Sequence, residues 1–429
     1  MGSGAAETPR ETALWNPFAN MAAVAGHTVQ ITGGKGSTVH DSDGRSYLDA
    51  IASLWYVNVG YGRTELADAA AAQMRELAAF HLFGDYTSAP AEALARRVAD
   101  LAPMDDAKVF FTAGGGSDAI DTAAKLARAY WQAVGQPGKQ ITISRARAYH
   151  GMNAYGTTLG GIPANWDPAV PLVEQVEHVA WDDPGALDKA IAGLGAERVA
   201  AFFCEPVIGA GGVYPPPEGY LAEVREICRR HDVLYISDEV ITGYGRTGEW
   251  FASGRFGLDP DMITSAKGLS SGYAPIGAVI VGPRVSEPFW RGAGEWFRHG
   301  YTYSGHTTAC AVALANLDLV EREGLVARVA ELEPVLARTL APLADLPLVE
   351  EVRAGTGLLA GVEIAADARA ADPALGARLV NGIRDRGVLT RLVGGTSLQV
   401  SPPFVITEPE IARIAEVFAD ALAAAAARG

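Results

Sequence analysis

Six short apolar runs punctuate the middle of the chain: Val109–Thr112, Gln140–Ser144, Val199–Cys204, Val233–Ser237, Met262–Ala266 and Ile276–Val281. They are continuously apolar rather than alternating, and helical stretches separate most of them. A strand with one wet face alternates, whereas a strand covered on both faces does not. The pattern therefore predicts an α/β protein built on a mostly parallel sheet with helices on both sides. The last run follows its predecessor too closely for a helical crossover, so one antiparallel edge strand is expected.

The residues just past these runs carry the functional signal. Gly116-Ser117, Tyr149-His150-Gly151, Glu205, Asp238 and Lys267 all fall beyond predicted strand carboxyl ends. Open α/β sheets bind their ligands along that edge. Lys267 lies between two apolar runs, with Gly268, Gly272 and Pro275 breaking the chain after it. Burial disfavours an ammonium ion, so an enclosed lysine becomes a neutral nucleophilic amine. Such an amine can hold a carbonyl cofactor as a Schiff base. The local stretch also fits a lysine that snorkels from a strand end into water.

Composition narrows the partners. Lys and Arg number 35 against 50 Asp and Glu, a formal charge of −15. That disfavours nucleic acid or an anionic membrane as the main partner. Three scattered cysteines, Cys204, Cys228 and Cys310, offer neither a disulfide framework nor a zinc site and fit a reducing cytoplasm. Met1–Glu7 has no hydrophobic core of a secretory signal, and Ala6 stands where a myristoylation motif needs Ser or Thr. No apolar run approaches the roughly 18 residues that span a bilayer. A disordered tract is expected only over the first ten or so residues.

Elsewhere, Thr38–Asp49 contains Asp43-Gly44 between two alternating stretches and predicts a hairpin. Gly33-Gly-Lys-Gly-Ser-Thr38 lacks the spacing of a phosphate loop and reads as a turn. Trp55, Tyr56 and Tyr61 sit among glycines, a pattern that packs on a neighbour or walls a pocket. Helical periodicity marks Glu65–Leu77, Ala91–Leu101, the stretch after Asp118, Thr308–Glu323 and Ile411–Ala427. Strands are expected within Gly357–Ile364 and at Leu398–Val400. Three parts follow: a leading segment, 1–60, that joins the small domain; a large domain, 61–303; and a smaller C-terminal domain, 304–429.

Taken together, Phe111-Thr-Ala-Gly-Gly-Gly-Ser-Asp-Ala119, Tyr149-His-Gly151, Cys204-Glu-Pro206, Ser237-Asp-Glu-Val240, Ser265-Ala-Lys-Gly268 and Tyr301-Thr-Tyr-Ser304 resemble the class III aminotransferases. These are pyridoxal-phosphate enzymes of fold type I, with a large domain on a mostly parallel seven-stranded sheet and a smaller α+β domain from the two termini. Within the class the chain looks most like the omega, or amine–pyruvate, transaminases. The resemblance implies that Lys267 binds pyridoxal 5′-phosphate covalently and shuttles protons, and that Asp238 faces the ring nitrogen. It implies that Val240 and Tyr149 flank the ring, with His150 and Glu205 beside it, and that Gly116 and Ser117 hold the phosphate at a helix start. Asp118 should point away from that phosphate. Thr302, with Tyr301 before it, would reach the phosphate from a partner subunit, which implies a homodimer with shared active sites. Arg391 would clamp the substrate carboxylate as a bidentate fork, and Trp55, Tyr149 and Phe18 would line the amine pocket.

Two departures from the family pattern stand out, the first changing the loop backbone and the second bearing on the subclass. The phosphate loop carries an extra glycine, Gly114-Gly-Gly116, where the family usually has Ser-Gly-Ser. In Glu205-Pro-Val-Ile-Gly-Ala-Gly-Gly212, Ala210 replaces the second Glu that typical 2-oxoglutarate-using ornithine and 4-aminobutyrate enzymes pair with their arginine. That substitution favours pyruvate as acceptor. The alternatives are a 2-oxoglutarate-dependent aminotransferase, an aminomutase or a decarboxylating transaminase. From another class, a nucleotide-binding dehydrogenase lacks support because Gly114–Gly116 misses the final glycine of a dinucleotide turn.

Overall fold

A computed structural model describes residues 12–24, 26, 28–291 and 294–427. The readings of the first ten residues lie outside these. The chain begins with a small antiparallel sheet, β1 (Ile31–Lys35), β2 (Thr38–Asp41) and β3 (Ser46–Asp49). The Asp43-Gly44 hairpin forms as expected, with Gly44 at φ +80°. Gly36, at φ +57°, turns the chain from β1 into β2, so the Gly33–Thr38 stretch is a hairpin and not a phosphate loop.

The central sheet holds seven strands: β4 (Lys108–Thr112), β5 (Ile141–Arg145), β6 (Val176–Val179), β7 (Val199–Cys204), β8 (Leu234–Asp238), β9 (Met262–Ser265) and β10 (Gly277–Val281). Their order is β4-β10-β9-β8-β7-β5-β6. The strands from β9 to β6 are parallel, and β10 is antiparallel to both β9 and β4. One expectation is corrected here: the antiparallel strand is not the edge, because β4 pairs outside it. The sheet has the seven strands that the resemblance implies, and the one not marked by an apolar run is β6, at the far edge. Its sequence, Val-Glu-His-Val, is half polar because an edge strand is only half covered.

Both faces of the sheet are buried. Phe203 packs with the helix Gly116–Ala133 on one side, while Phe202 and Cys204 pack against Tyr220–Arg230 on the other. The C-terminal region adds β11 (Val349–Arg353), β12 (Ala360–Ile364), β13 (Val388–Leu389), β14 (Leu392–Val393) and β15 (Ser397–Val400). A second small sheet runs β11-β12-β15-β14, whereas β13 joins β3 in parallel and so ties the chain's start to its end.

The core under these sheets combines Ala50, Val59 and Leu66 with residues of Leu325–Leu340, Leu375–Asp385 and Glu408–Ala426. The helix Thr307–Arg322 belongs to two cores at once. Its Ala309, Cys310, Ala313 and Leu317 pack beside the central sheet, and its Leu319 and Val320 enter the C-terminal core. Arg246, fully buried, joins three segments by donating to Asn58 Oδ1 at 2.6 Å and to the Pro402 carbonyl at 2.6 Å. No helix among the described residues is long and apolar enough to cross a membrane.

Candidate active site

The carboxyl ends of β4, β5, β7, β8 and β9 open into one cavity of about 380 Å³. Its walls include Gly116, Ser117, Tyr149, His150, Glu205, Asp238, Val240 and Lys267. They enter from five different loops because parallel strands deliver all their carboxyl ends to one side.

Asp238 is the last residue of β8 and is 4% exposed. Its carboxylate accepts from His150 Nδ1 at 2.7 Å, Thr264 Oγ1 at 3.1 Å and Val240 N at 3.1 Å. The Glu239–Gly243 stretch turns instead of forming a helix, so Asp238 is not capping one. Glu205 is also buried, and Tyr149 N (2.9 Å) and Gly209 N (3.0 Å) donate to its carboxylate. Burial raises the Glu205 pKa from the ordinary glutamate value, against those two N–H donors. Arg145, at the end of β5, donates to the Glu205 carbonyl and fixes where the β7 turn begins.

Lys267 follows β9 in a left-handed conformation, φ +44°, which residues with a side chain rarely adopt. The strained turn directs the amine into the cavity. Burial lowers its pKa to about 8, although Asp238 and Glu205 pull in the opposite direction. The amine is therefore partly neutral near physiological pH, as a nucleophile must be.

The glycine-rich loop forms a cradle. Gly115, at φ +151°, precedes the helix that starts at Gly116. A Cβ at Gly116 would come within 2.6 Å of Val240 Cγ1, and one on Gly151 would collide with Ser117 Oγ. The cradle is thus open only because these positions lack side chains. Asp118 turns back, accepting from Gly114 N at 2.8 Å and Asn153 Nδ2 at 2.9 Å. It does not line the cavity.

A neutral amine, a buried acid across the cavity and an N–H-rich helix start match the aldehyde, ring nitrogen and phosphate of pyridoxal phosphate. His150 supports this fit: its Nδ1 is bound to Asp238, and its Nε2 is buried without a hydrogen-bond partner among the described residues.

Other expected residues lie outside the cavity lining. Trp55 and Arg391 stack beside it, the Arg391 guanidinium carbon 5.1 Å from the indole centroid, with Tyr149 nearby. Tyr301 hydrogen-bonds to the Asp118 carbonyl at 3.2 Å, and Thr302 is on the surface. Phe18 is 76% exposed and lines no part of the cavity in this chain. Ile241, Ser270 and Ile276 line the cavity without having been singled out. Tyr56, one of the aromatics expected to pack on a neighbour or wall a pocket, does line it, and it presses on Gly272, where a Cβ would overlap its ring.

Residues 21–422 match the family model for Aminotransferase class-III. A putrescine–pyruvate aminotransferase from Pseudomonas aeruginosa is 42% identical, covering 89% of this chain and 87% of that protein. A diaminobutyrate–2-oxoglutarate transaminase from Halomonas elongata is 40% identical over 90% of this chain and 88% of its own. Among solved structures, the PLP-bound form of an amine transaminase from an uncultivated Pseudomonas species superposes with a TM-score of 0.90. It is 36% identical and is covered over 100% of its length by 98% of this chain.

Proposed function

The chain belongs to the class-III aminotransferases, which use pyridoxal phosphate, and on that premise we propose that it moves an amino group from a primary amine or omega-amino acid to pyruvate in two alternating half-reactions. Lys267 and Asp238 are the catalytic pair in this reading. Pyridoxal phosphate supplies an aldehyde and an electron-withdrawing ring.

The protein's residues do the rest. The Lys267 amine binds the cofactor and, when released, carries the proton off and onto the substrate carbon. Asp238, held by three donors, would face the ring nitrogen. Val240 and Tyr149 flank the ring. The N–H groups at Gly116 and Ser117 take the phosphate. Arg391 takes the carboxylate of the oxo acid.

The observation that carries pyruvate is Ala210. It packs with Trp55 and Val393 at the foot of the Arg391 loop, and its carbonyl accepts from Gly394 N at 2.8 Å. The family's 2-oxoglutarate-using members place there a glutamate that pairs with this arginine, and alanine leaves that position without an acid. The rival acceptor is 2-oxoglutarate, favoured by the Halomonas relative. A panel of amine donors should be run against pyruvate and against 2-oxoglutarate, following the cofactor's colour change. Faster turnover with pyruvate supports the proposal, and faster turnover with 2-oxoglutarate rejects it.

A homodimer is part of the reading. Phe83, Tyr86, Trp290, Trp296 and Tyr303 are all exposed, more aromatic surface than a monomer usually shows. Phe83 lies against Gly300, next to Tyr301 and Thr302. A second copy covering this patch would bring its own Tyr301 and Thr302 to the cradle. The three described cysteines are all free and buried, which is compatible with a cytoplasmic location.

A further inference from the structure

Arg391 is a partly buried cation, and among the described residues no acid offsets its desolvation: burial lowers its pKa from the ordinary arginine value, and the Tyr149 phenol opposes that. What the guanidinium faces is an indole. Its central carbon is 5.1 Å from the Trp55 ring centroid, and the Lys267 amine is 5.5 Å from the same ring. A cation over an aromatic face is attracted by the ring quadrupole, more strongly where water is excluded.

Trp55 is built in at some cost. It is 3% exposed, and its Nε1 has no hydrogen-bond partner among the described residues. Ala52, Ser53 and Trp55 all take left-handed backbone angles, with φ of +45°, +59° and +62°. Such a run persists only when its surroundings enforce it. The buried Asp49 does so, accepting from Ile51 N at 2.9 Å, Ser53 N at 2.7 Å and Tyr61 Oη at 2.6 Å. Trp55 shares one buried cluster with Ala210, Ile241, Leu359 and Val393.

We propose that Trp55 is the positioning residue of Arg391: its ring face serves as a shelf that replaces an acidic partner. A guanidinium lying on an aromatic face still offers its N–H fork at the edge. A carboxylate partner would occupy that fork and compete with the substrate. The indole holds the cation next to Lys267 without that competition, so the fork is already in place when an oxo acid arrives. The inference rests on the reading that Arg391 receives the acceptor's carboxylate.

The test uses the holoenzyme with Trp55 replaced site-specifically by tryptophans carrying one to four ring fluorines, in native and Arg391→Leu backgrounds. Fluorination drains the ring quadrupole and nearly preserves its shape. The expected result is a stepwise rise in the KM for pyruvate, about tenfold across the series. The KM for the best amine of the donor panel should move less, and the trend should vanish in Arg391→Leu. A flat series, or one that persists without the arginine, overturns the shelf, while a raised pyruvate KM in Arg391→Leu alone leaves carboxylate recognition standing. An unchanged pyruvate KM in Arg391→Leu overturns that recognition and the shelf with it.

Discussion

The Lys267 amine gives the most direct quantitative handle on the site. Burial takes its pKa from 10.5 to about 8, a difference of roughly 3 kcal/mol at 1.36 kcal/mol per unit. At pH 7.5 about a quarter of the amine is then neutral, against about one part in a thousand for a free lysine. The rate at which the apoenzyme captures pyridoxal phosphate should therefore rise about tenfold per pH unit at low pH and bend over near pH 8. Stopped-flow absorbance against pH measures this. Glu205 and Asp238 both favour the ammonium form, so Glu205→Gln should move the bend to lower pH.

The same shift has a consequence for stability. A cation with a depressed folded pKa leaves the folded state holding fewer protons than the unfolded state between pH 8 and 10.5. The penalty is complete below pH 8 and fades as pH rises through that window. Apo Lys267→Met should thus be more stable than the apo native protein at neutral pH, by up to about 3 kcal/mol, with the gap closing toward pH 10.5. A capture rate that keeps climbing through pH 10, together with no stability gain in the variant, would refute the argument.

Three further outcomes are expected. Asp238→Asn should slow single-turnover amine oxidation roughly 100-fold or more with little change in melting temperature, since Thr264 and Val240 can still donate to the amide oxygen. Gly151→Ala must place a Cβ against Ser117 from a backbone at φ +90°. It should weaken pyridoxal phosphate binding by about tenfold or more, while binding of unphosphorylated pyridoxal, measured by the same fluorescence titration, changes much less. Arg246→Met removes the donors to Asn58 and Pro402 and should cost about 3 kcal/mol in denaturant unfolding.

Much of the site could be read from the chain because parallel strands convert sequence order into spatial convergence. Glu205, Asp238 and Lys267 each end an apolar run, and the fold brings those ends to one cavity. What escaped reading depends on pairing or on backbone shape. Val176–Val179 is half polar, so nothing in its periodicity marks it as a strand. The central place of β10 comes from its pairing with β4, which is distant in sequence. Asp49 reads as the end of a hairpin, and only the folded turn shows it bracing Trp55. The family pattern puts Phe18 in the amine pocket, but in this chain it is exposed and lines no part of the cavity, whereas Tyr301 and Thr302 are expected from a partner subunit and do not line it either. The domain limit expected at 304 is blurred by the helix Thr307–Arg322, because one helix can serve two cores on different faces.

The pairing of Val388 with Leu48 sets the timetable for making this protein. During synthesis the opening hairpin leaves the ribosome long before its fourth strand exists, and it must wait with one edge bare while the central sheet assembles. Such a chain has a high contact order and folds slowly for its size. Shortening it from the carboxyl end past β13 would take the fourth strand from the opening sheet, next to the turn that carries Trp55, and leave Arg246 tying it to the rest of the chain through Asn58.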